Sequence, residues 1–520
     1  MLNTHSVSPS LSIVRLVTAF IAGASTALSF APYEIWAIYP LALSFALWQS
    51  HSLTAKQNGY YWLSFGFGCF AVGINWVHVS IDTFGGMPIV VSMSLMALLA
   101  LYLAIYPALC GYLLRKLSRT RKQTLTPYLT YLGLFPALWV VTEWLRGWVL
   151  TGFPWIWAGY SQTLGPLSEL ASFIGALGLS FIIALVAGSL MLLSQKRVIP
   201  VLLILPTLAL LAWVAPQVNP ISPSGISIKV ALVQGNIAQS MKWEPDALWP
   251  TMLKYMDLTR AQFDDASSVD IVIWPEAAIP APEAMVEDFL NNANQVANIN
   301  NTAIITGIIS HQQQKFYNSL IVLGNHHAKH QQSADYIGDG TNEFKKHHLL
   351  PIGEFVPLGD FLRPIAPLFN LPMSSFQRGD YTQPNLTALG YHIAPAICYE
   401  IAFPEQVRAS VTDETDLLLT VSNDAWFGAS NGPLQHMEIA QMRAIEMGKP
   451  LLRATNNGIT AVVNPHGRIT DAIPQFETGV LVTNIPLYQG QTWFRKLGQL
   501  PLLILCGLLT LLGVRNYFRR

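Results

Sequence analysis

The sequence is poor in charged residues. Asp, Glu, Lys and Arg make up 12% of its 520 residues, whereas a soluble domain carries about 25%. The deficit is uneven, because residues 1–215 and 497–514 are almost free of charge over long blocks and residues 226–487 have an ordinary soluble composition. We therefore expect much of the chain to lie in lipid. The formal net charge is zero, which gives no indication of nucleic acid as a partner.

Cysteine is also scarce. Of the four cysteines, Cys69, Cys110 and Cys506 lie within apolar segments, so that Cys398 is alone in residues 226–487. A lone cysteine cannot form a disulfide within its own domain. It is either a buried inert thiol, the commoner case, or a nucleophile. Exported domains usually use cysteines in pairs, so a single thiol in such a domain would need a chemical reason.

Several motifs of common enzyme classes are absent. The sequence has no G-x-S-x-G elbow, no P-loop, no dinucleotide-binding fingerprint and no internal repeat. His326, His327 and His330 lie in a polar stretch, but their spacing does not match a convincing metal site. We expect this stretch to be polar surface and predict no metal.

What the sequence has instead is apolar runs long enough to cross a bilayer, which takes about 20 residues each. We predict eight spans, at 12–30, 34–49, 60–78, 88–114, 127–145, 166–194, 199–215 and 497–514. The first has only Arg15 as a charged flank and leads directly into another apolar run. We therefore interpret it as an uncleaved anchor rather than a signal peptide.

Basic residues in the short loops predict the orientation, since such residues favour the cytoplasmic side. They follow the second, fourth, sixth and eighth spans: Lys56; Arg115, Lys116, Arg119, Arg121 and Lys122; Lys196 and Arg197; Arg515, Arg519 and Arg520. The alternate loops contain only Arg146. Both termini should be cytoplasmic, and residues 226–487 should face the periplasm or the cell exterior of a bacterium.

The segment between the last two spans has the pattern of an α/β domain. After a Pro- and Ser-containing linker at 216–225, apolar strands alternate with helical spacing, which predicts a sheet covered by helices. The predicted strands are 227–236, 271–276, 303–309, 316–324, 393–397, 417–422, 451–455, 459–464 and 480–485, and the predicted helices are 243–263, 283–299 and 433–447. The domains are then a membrane part at 1–215, this domain at 226–487, and a final span with a basic tail at 488–520.

Three polar residues of this domain stand out. Glu276 follows Ile-Val-Ile-Trp-Pro, Lys346 precedes His-His-Leu, and Cys398 ends the apolar run Ile393–Ile397. Individually they have ordinary explanations: a carboxylate that caps a turn, a solvated lysine and a buried thiol. Together they supply a nucleophile, a base that takes its proton and a cation that stabilises an oxyanion, which is what acyl transfer needs.

The order Glu, Lys, Cys in these contexts resembles the nitrilase (carbon–nitrogen hydrolase) superfamily, which has an α-β-β-α sandwich fold and a Glu-Lys-Cys triad. Within it, eight spans with the nitrilase-like domain inserted before the last one resemble the apolipoprotein N-acyltransferase family. Further runs similar to that family are Val233–Ile237, His348–Glu354, Ile397–Glu400, Ser422–Gly428, Arg453–Gly458 and Gly152–Trp155.

The resemblance implies a two-step reaction in the bacterial inner membrane. A phospholipid donates an acyl chain to Cys398, forming a thioester, and the N-terminal amine of diacylglyceryl-cysteine on an apolipoprotein then takes it. Glu276 would act as the base. Lys346 would stabilise both tetrahedral intermediates and lower the pKa of the thiol. No metal or soluble cofactor is implied, because the donor already carries an activated ester, and one chain suffices for the site.

Five further residues match positions of the family. Glu354 and Glu400 are assigned to holding Lys346 and its loop, and their alternative is an ordinary surface salt bridge. The backbone N–H of Tyr399 is a candidate second oxyanion donor. Trp243 and Trp426 are candidates for contact with lipid or substrate.

Two other functions compete with this interpretation. A membrane-anchored amidase or nitrilase would use the same triad with water as the second nucleophile, but it would need fewer spans for tethering. A transporter or lipid-binding protein with an inactive domain would be favoured if a triad residue were missing, and none is. The few charges within the spans also argue against a transport path.

Overall fold

The computed structural model describes residues 11–118, 125–263, 269–325, 336, 338, 340–351, 353–355 and 376–518. The described residues form two compact units. The helical unit comprises those within Met1–His78, Met87–Asn219 and Trp493–Arg520, and the α/β unit comprises those within Val79–Gly86 and Pro220–Thr492. The predicted histidine stretch at 326–330 lies outside the described residues.

The helical unit contains a helix at every one of the eight apolar segments. Its main helices are Ile13–Ser25, Ile38–Ser50, Ala55–Gly73, Ile89–Ser118, Phe135–Arg146, Ala171–Ser194, Ile199–Val218 and Leu500–Phe518, with a short helix at Trp493–Leu497. Within the described residues, four helical segments are long and apolar enough to cross a membrane: Ile89–Ser118, Ser168–Ser194, Ile199–Val218 and Leu500–Phe518. A fifth is added if Ala55–Gly73 and Val77–Phe84, bent by 58°, form one broken span.

Two buried charged residues in the helical unit form hydrogen bonds with main-chain groups. Glu143 and Arg146 lie one helical turn apart, but each contacts main-chain atoms of the following segment. The Arg146 guanidinium donates to the carbonyl oxygens of Phe153 at 2.8 Å and Trp155 at 2.7 Å. Glu143 Oε1 accepts from the N–H of Ala158 at 2.9 Å. Both side chains therefore satisfy polar groups of a non-helical segment, where an unpaired buried group would be costly.

The α/β unit is built on two sheets. Its strands are β1 (Ser222–Gln234), β2 (Ile271–Ile273), β3 (Ile279–Pro282), β4 (Ala303–Gln312), β5 (Lys315–Leu323), β6 (Glu343–Lys345), β7 (Leu386–Ala388), β8 (Tyr391–Ile397), β9 (Leu417–Ser422), β10 (Leu451–Thr455), β11 (Thr460–Val463), β12 (Ile469–Ile473) and β13 (Gly479–Gln489). One sheet has the order β13-β1-β2-β4-β5-β6 with β3 beside β4, and the other has the order β12-β11-β10-β9-β8-β7. The pairs β1–β2, β2–β4, β8–β9 and β9–β10 are parallel.

The apolar residues of these strands divide between two cores, because successive side chains of a strand point to opposite faces. On β1, Val230 and Leu232 pack with residues of the second sheet, such as Leu417 and Leu452. Ala231 of the same strand joins a core with the helices that cover the first sheet. The covering helices are Leu248–Arg260 and Glu287–Ile299, and the other α-helices among the described residues of the unit are Pro404–Ser410 and Gly432–Met447. Sheet against sheet, with helices outside, is the nitrilase-like arrangement predicted from the resemblance.

The observed strands differ from the predicted ones mainly where a strand is defined by hydrogen bonds to its neighbour rather than by a run of apolar residues. Strands β9 and β10 have the predicted bounds, whereas β3, β6, β7 and β12 were not predicted, because these short strands lack a distinctive apolar run. The predicted linker at 216–225 is too long. Only residues 219–221 lie between the helix Ile199–Val218 and β1. Pro216 is accommodated near the end of this helix. Pro223 lies near the start of β1, just before a register shift in its pairing with β13.

Candidate active site

Each predicted triad residue lies just beyond the end of a strand. Glu276 follows β2, Lys346 follows β6 and Cys398 follows β8 directly. Cys398 has a φ of +55°, a left-handed backbone that costs a non-glycine residue about 1–2 kcal/mol. Such strain is maintained where the surrounding structure determines it, and it directs the side chain out of the line of the strand.

A buried ion pair joins the two charged members of the triad. The ammonium of Lys346 lies 3.2 Å from Glu276 Oε1 and 2.9 Å from Glu354 Oε2. The side-chain amide of Asn318 donates to Oε1 of both carboxylates at 2.8 Å. The second oxygen of Glu276 accepts from the N–H of Asn423 at 2.9 Å. Every charge in this cluster is therefore partnered, which is the condition for keeping charges away from water.

The ionisation of these groups follows from burial and from their mutual charges. Burial would raise the pKa of Glu276, but the Lys346 ammonium and the Asn318 amide outweigh it, and this pKa is lowered. Burial would lower the pKa of Lys346, yet the charges of Glu276 and Glu354 raise it above its ordinary value. The resting site thus contains a carboxylate beside an ammonium.

The thiol departs from the prediction. Burial raises the pKa of Cys398, the charge of Glu276 raises it further, and the result is well above the ordinary value. The charge of Lys346 does act in the predicted direction, but it is the smaller effect because a thiolate is poorly solvated in a buried site. Cys398 therefore rests as a neutral thiol, and its proton must leave during attack.

Glu400 connects the strand of the cysteine with the loop of the lysine. Its Oε1 accepts from the N–H groups of His347 at 2.8 Å and His348 at 3.0 Å and from the amide of Gln406 at 2.7 Å. Its Oε2 accepts from the N–H of Ile397 at 2.8 Å. Three of these four donors are main-chain N–H groups of the two segments, so Glu400 holds the segments together.

Both the helical unit and the α/β unit match known protein families. A model of the carbon-nitrogen hydrolase family matches residues 229–495, and a model of the apolipoprotein N-acyltransferase N-terminal domain matches residues 22–189. The chain is 71% identical over 503 residues to the apolipoprotein N-acyltransferase of Shewanella oneidensis, covering 97% of this chain and 96% of that protein. The enzyme of the same name from Vibrio cholerae is 47% identical over 504 residues, covering 95% and 96%.

The chain belongs to the apolipoprotein N-acyltransferase family. All the predicted site residues of this family member lie within the part that matches the carbon-nitrogen hydrolase model. The family also accounts for the helical unit, most of which the N-terminal domain model covers. Among the described residues, no group of three or more His, Cys, Asp or Glu side chains is placed to hold a metal ion.

The three aromatic residues predicted from the apolipoprotein N-acyltransferase family differ from one another in their surroundings. Trp243 is half-buried against a small apolar cluster that includes Leu349. The ring of Tyr399 is buried against Phe403, with ring centroids 5.1 Å apart. Its side chain therefore serves packing, and the predicted oxyanion contribution concerns only its N–H. Trp426 is half-buried.

Trp426 lies against a segment that is distant in sequence but belongs to the same unit. The Ser80 hydroxyl donates to the carbonyl oxygen of Trp426 at 2.7 Å, and the ring of Phe84 meets the Trp426 ring edge-to-face at 5.7 Å. Both residues lie in Val79–Gly86, the part of the α/β unit that comes from between two helices of the other unit. The turn that follows β9 is therefore covered by this inserted segment.

Two residues that contact the site, a lysine and an asparagine, could not be identified from the sequence. Lys242 is buried, its ammonium donates to the main-chain oxygen of Glu276 at 3.0 Å, and burial lowers its pKa to about 8. Asn318, described above, bridges Glu276 and Glu354. Lys242 directly precedes the predicted Trp243, which is a weak signal. Asn318 lies within β5 and has no signal in the sequence, because only the pairing of β5 with its neighbours brings it to the carboxylates.

A second buried network, also missed, lies on the other side of Cys398. His436 Nε2 is 3.0 Å from the main-chain oxygen of Cys398. His436 Nδ1 is 3.1 Å from Arg453 Nη2 and 3.2 Å from Asp424 Oδ1. Arg453 Nη2 also donates to Asp424 Oδ2 at 2.7 Å, and the Ser422 hydroxyl donates to Asp424 Oδ1.

Proposed function

We propose that this chain transfers an acyl chain from a phospholipid, through a thioester on Cys398, to the N-terminal amine of diacylglyceryl-cysteine on apolipoproteins. Its place in the family makes it a lipoprotein N-acyltransferase. The observation that carries the assignment of its chemistry is the buried pair of Lys346 and Glu276 at 3.2 Å, beside a strained cysteine at the end of β8. Lys346 and Cys398 directly follow β6 and β8, and Glu276 follows β2 after two residues; in this proposal they serve as cation, nucleophile and base.

In the first step, Cys398 Sγ attacks the ester carbonyl of the phospholipid. The thiol proton passes to Glu276 as the carbon–sulfur bond forms, which avoids a free thiolate in a site that raises the thiol pKa. Lys346 stabilises the negative oxygen of the tetrahedral intermediate, and the N–H of Tyr399 is the second donor. The ester bond then breaks, and lysophospholipid leaves with the proton from Glu276.

In the second step, the amine of the apolipoprotein attacks the thioester carbonyl. Glu276, again a carboxylate, takes a proton from the attacking nitrogen, and Lys346 again stabilises the oxyanion. The carbon–sulfur bond breaks, an amide is formed, and the proton returns to Cys398. Because the pKa of Lys346 is raised, this lysine stays cationic through both steps. No metal or soluble cofactor takes part.

Glu276 is the better base of the two carboxylates that face Lys346. The oxygens of Glu354 receive the Lys346 ammonium, the Asn318 amide and the N–H of Leu350 at 2.8 Å, which fix this side chain to the lysine loop. The charge of Glu276 acts on the thiol, since after burial it is the next cause of the raised pKa of Cys398. We assign Glu354 and Glu400 to holding Lys346 and its loop, and Trp243 and Trp426 to contact with lipid or substrate.

The membrane part keeps the active site at the bilayer in this reaction, because donor and acceptor are both anchored in lipid. We assign all eight apolar segments as spans of the bacterial inner membrane, with both termini in the cytoplasm and the α/β unit facing the periplasm. The distribution of Lys and Arg in the loops supports this orientation. A single chain holds every residue of the site, so a monomer is sufficient.

Mass spectrometry of the purified enzyme incubated with phospholipid tests the proposal. We expect a fatty-acyl mass on the Cys398 peptide that is absent from Cys398→Ala and is discharged by a diacylglyceryl lipopeptide with a free amine. An enzyme without this adduct that releases ammonia from small amides would instead be a membrane-anchored amidase. An adduct that water discharges as fast as the lipopeptide does would also contradict amine transfer.

A further inference from the structure

We propose that His436 is a positioning residue for the nucleophile. It holds the main-chain carbonyl of Cys398 and thereby maintains the backbone conformation that presents Sγ to the substrate. The inference rests on Cys398 being the nucleophile of the proposed function, but its test does not require a lipid substrate. Three observations carry it: the contact itself, the fixed state of the histidine ring and the strain at Cys398.

The contact is direct and buried. His436 lies on the helix Gly432–Met447 and has no exposed surface. Its Nε2 lies 3.0 Å from the carbonyl oxygen of Cys398. A carbonyl oxygen can only accept a hydrogen bond, so Nε2 must be the donor and carry the proton.

The other ring nitrogen of His436 faces two charged neighbours. Nδ1 lies 3.1 Å from Arg453 Nη2 and 3.2 Å from Asp424 Oδ1, and in a neutral ring with the proton on Nε2 the guanidinium donates to Nδ1. The same Arg453 nitrogen donates to Asp424 Oδ2, so the guanidinium contacts both the ring and the carboxylate. Arg453 and Asp424 are themselves buried. Burial and the charge of Arg453 lower the pKa of His436, which keeps the ring neutral.

The strained backbone at Cys398 is held on both sides. On the N-terminal side, the N–H of Ile397 donates to Glu400. On the C-terminal side, the carbonyl of Cys398 accepts from His436. A residue at φ +55° relaxes to a more favourable conformation if one of these restraints is lost, and Sγ then moves. A displacement of about 1 Å at a reacting group costs about 100-fold in rate.

Two substitutions that differ only in reach provide the test. In His436→Gln the amide extends toward the Cys398 carbonyl and can donate, whereas in His436→Asn the amide is one methylene shorter. Each variant is treated with iodoacetamide, in which the Cys398 Sγ–carbon bond forms, iodide leaves and the thiol proton passes to Glu276. The rate is measured on the Cys398 peptide by mass spectrometry, so that the other cysteines do not interfere.

We expect alkylation of His436→Asn to be slower than wild type by about 10- to 100-fold and that of His436→Gln to recover most of the rate. In acyl transfer, we expect kcat to fall in the same order while KM for the phospholipid stays close to wild type. A control is Gln441→Leu. Gln441 lies on the same helix and also donates to a main-chain carbonyl, that of Gly467 at 2.8 Å, but it makes no contact with the site. It should match His436→Asn in lost thermal stability and react at the wild-type rate.

Equal alkylation rates in His436→Asn, His436→Gln and wild type would overturn the proposal. So would a Gln441→Leu variant whose rate falls as far as that of His436→Asn, because the effect would then be general loosening of the fold. A wild-type enzyme that alkylates at Cys398 but never forms an acyl-thioester would refute the proposed function and leave the positioning role of His436 intact.

Discussion

The ammonium of Lys346 lies 3.2 Å from Glu276 Oε1, and both side chains are buried. Each therefore fixes the charge state of the other: the pKa of the carboxyl group is lowered and that of the ammonium is raised. Removing Lys346 would leave two buried carboxylates, Glu276 and Glu354, without the cation they share. The proposed base and the proposed oxyanion stabiliser thus depend on each other before any substrate arrives.

Substituting the base should stop thioester formation without unfolding the protein. Glu276→Gln keeps the shape of the side chain but cannot accept the thiol proton, and loss of a general base lowers rates by about 10²- to 10⁴-fold. Single-turnover acylation of Cys398 measures this. Glu343→Gln is a matched control, because Glu343 forms a similar ion pair with Lys345 at 3.5 Å on β6. An acylation rate that falls equally in both variants would contradict the role of Glu276.

Lys242 should influence the acid limb of the pH–rate profile. Its positive charge is one cause of the lowered pKa of Glu276, so Lys242→Met should raise that pKa. Because Glu276 must be ionised to accept a proton, the acid limb of kcat/KM should then move to higher pH. Lys254→Met is the control, since Lys254 contacts only the Thr478 hydroxyl among the described residues. An acid limb that stays in place or moves to lower pH would refute the effect.

Glu400 should matter for stability more than a surface carboxylate does. In Glu400→Gln an N–H₂ group replaces one oxygen that accepts from main-chain N–H groups, which leaves at least one buried donor unpaired. The free energy of unfolding should fall by about 1–3 kcal/mol. In Glu405→Gln, which weakens a partly exposed ion pair with Arg408, the loss should stay below about 1 kcal/mol. Chemical unfolding in detergent measures both, and similar losses in the two variants would argue against the bridging role.

His436 should make the protein less stable as the pH falls below neutrality. Its pKa in the folded state is lowered, chiefly by burial and by the charge of Arg453. Below an ordinary histidine pKa of about 6.5, the unfolded chain binds a proton that the folded chain refuses, so acid favours unfolding. The melting temperature should drop between pH 7 and pH 5 more steeply in wild type than in His436→Gln. Parallel curves for the two proteins would contradict the predicted linkage.

The sequence predicted the parts of the site that follow distinctive strands. Cys398 ends an apolar run, and Glu276 follows another, so their positions at strand ends could be predicted from local patterning. Lys346 follows a strand of three residues that exists only because β5 pairs with it, and no local pattern marks so short an element. Its assignment came from the family resemblance.

Contacts made through the main chain could not be predicted. Lys242 binds the main-chain carbonyl of Glu276, and His436 binds that of Cys398. Every residue has such a carbonyl, so the sequence does not indicate which one a side chain will bind. The thiol pKa also could not be predicted, because burial and charges of both signs act on Cys398 and only their three-dimensional arrangement decides which is larger.

The α/β unit is not one continuous stretch of chain. A fragment cut at Asn219 and Thr492 would contain Glu276, Lys346 and Cys398, yet it would lack the short segment whose Ser80 and Phe84 cover Trp426. Such a fragment therefore loses the contacts that Ser80 and Phe84 make with the turn after β9. Moving the α/β unit to another membrane anchor preserves these contacts only if Val79–Gly86 is supplied as well.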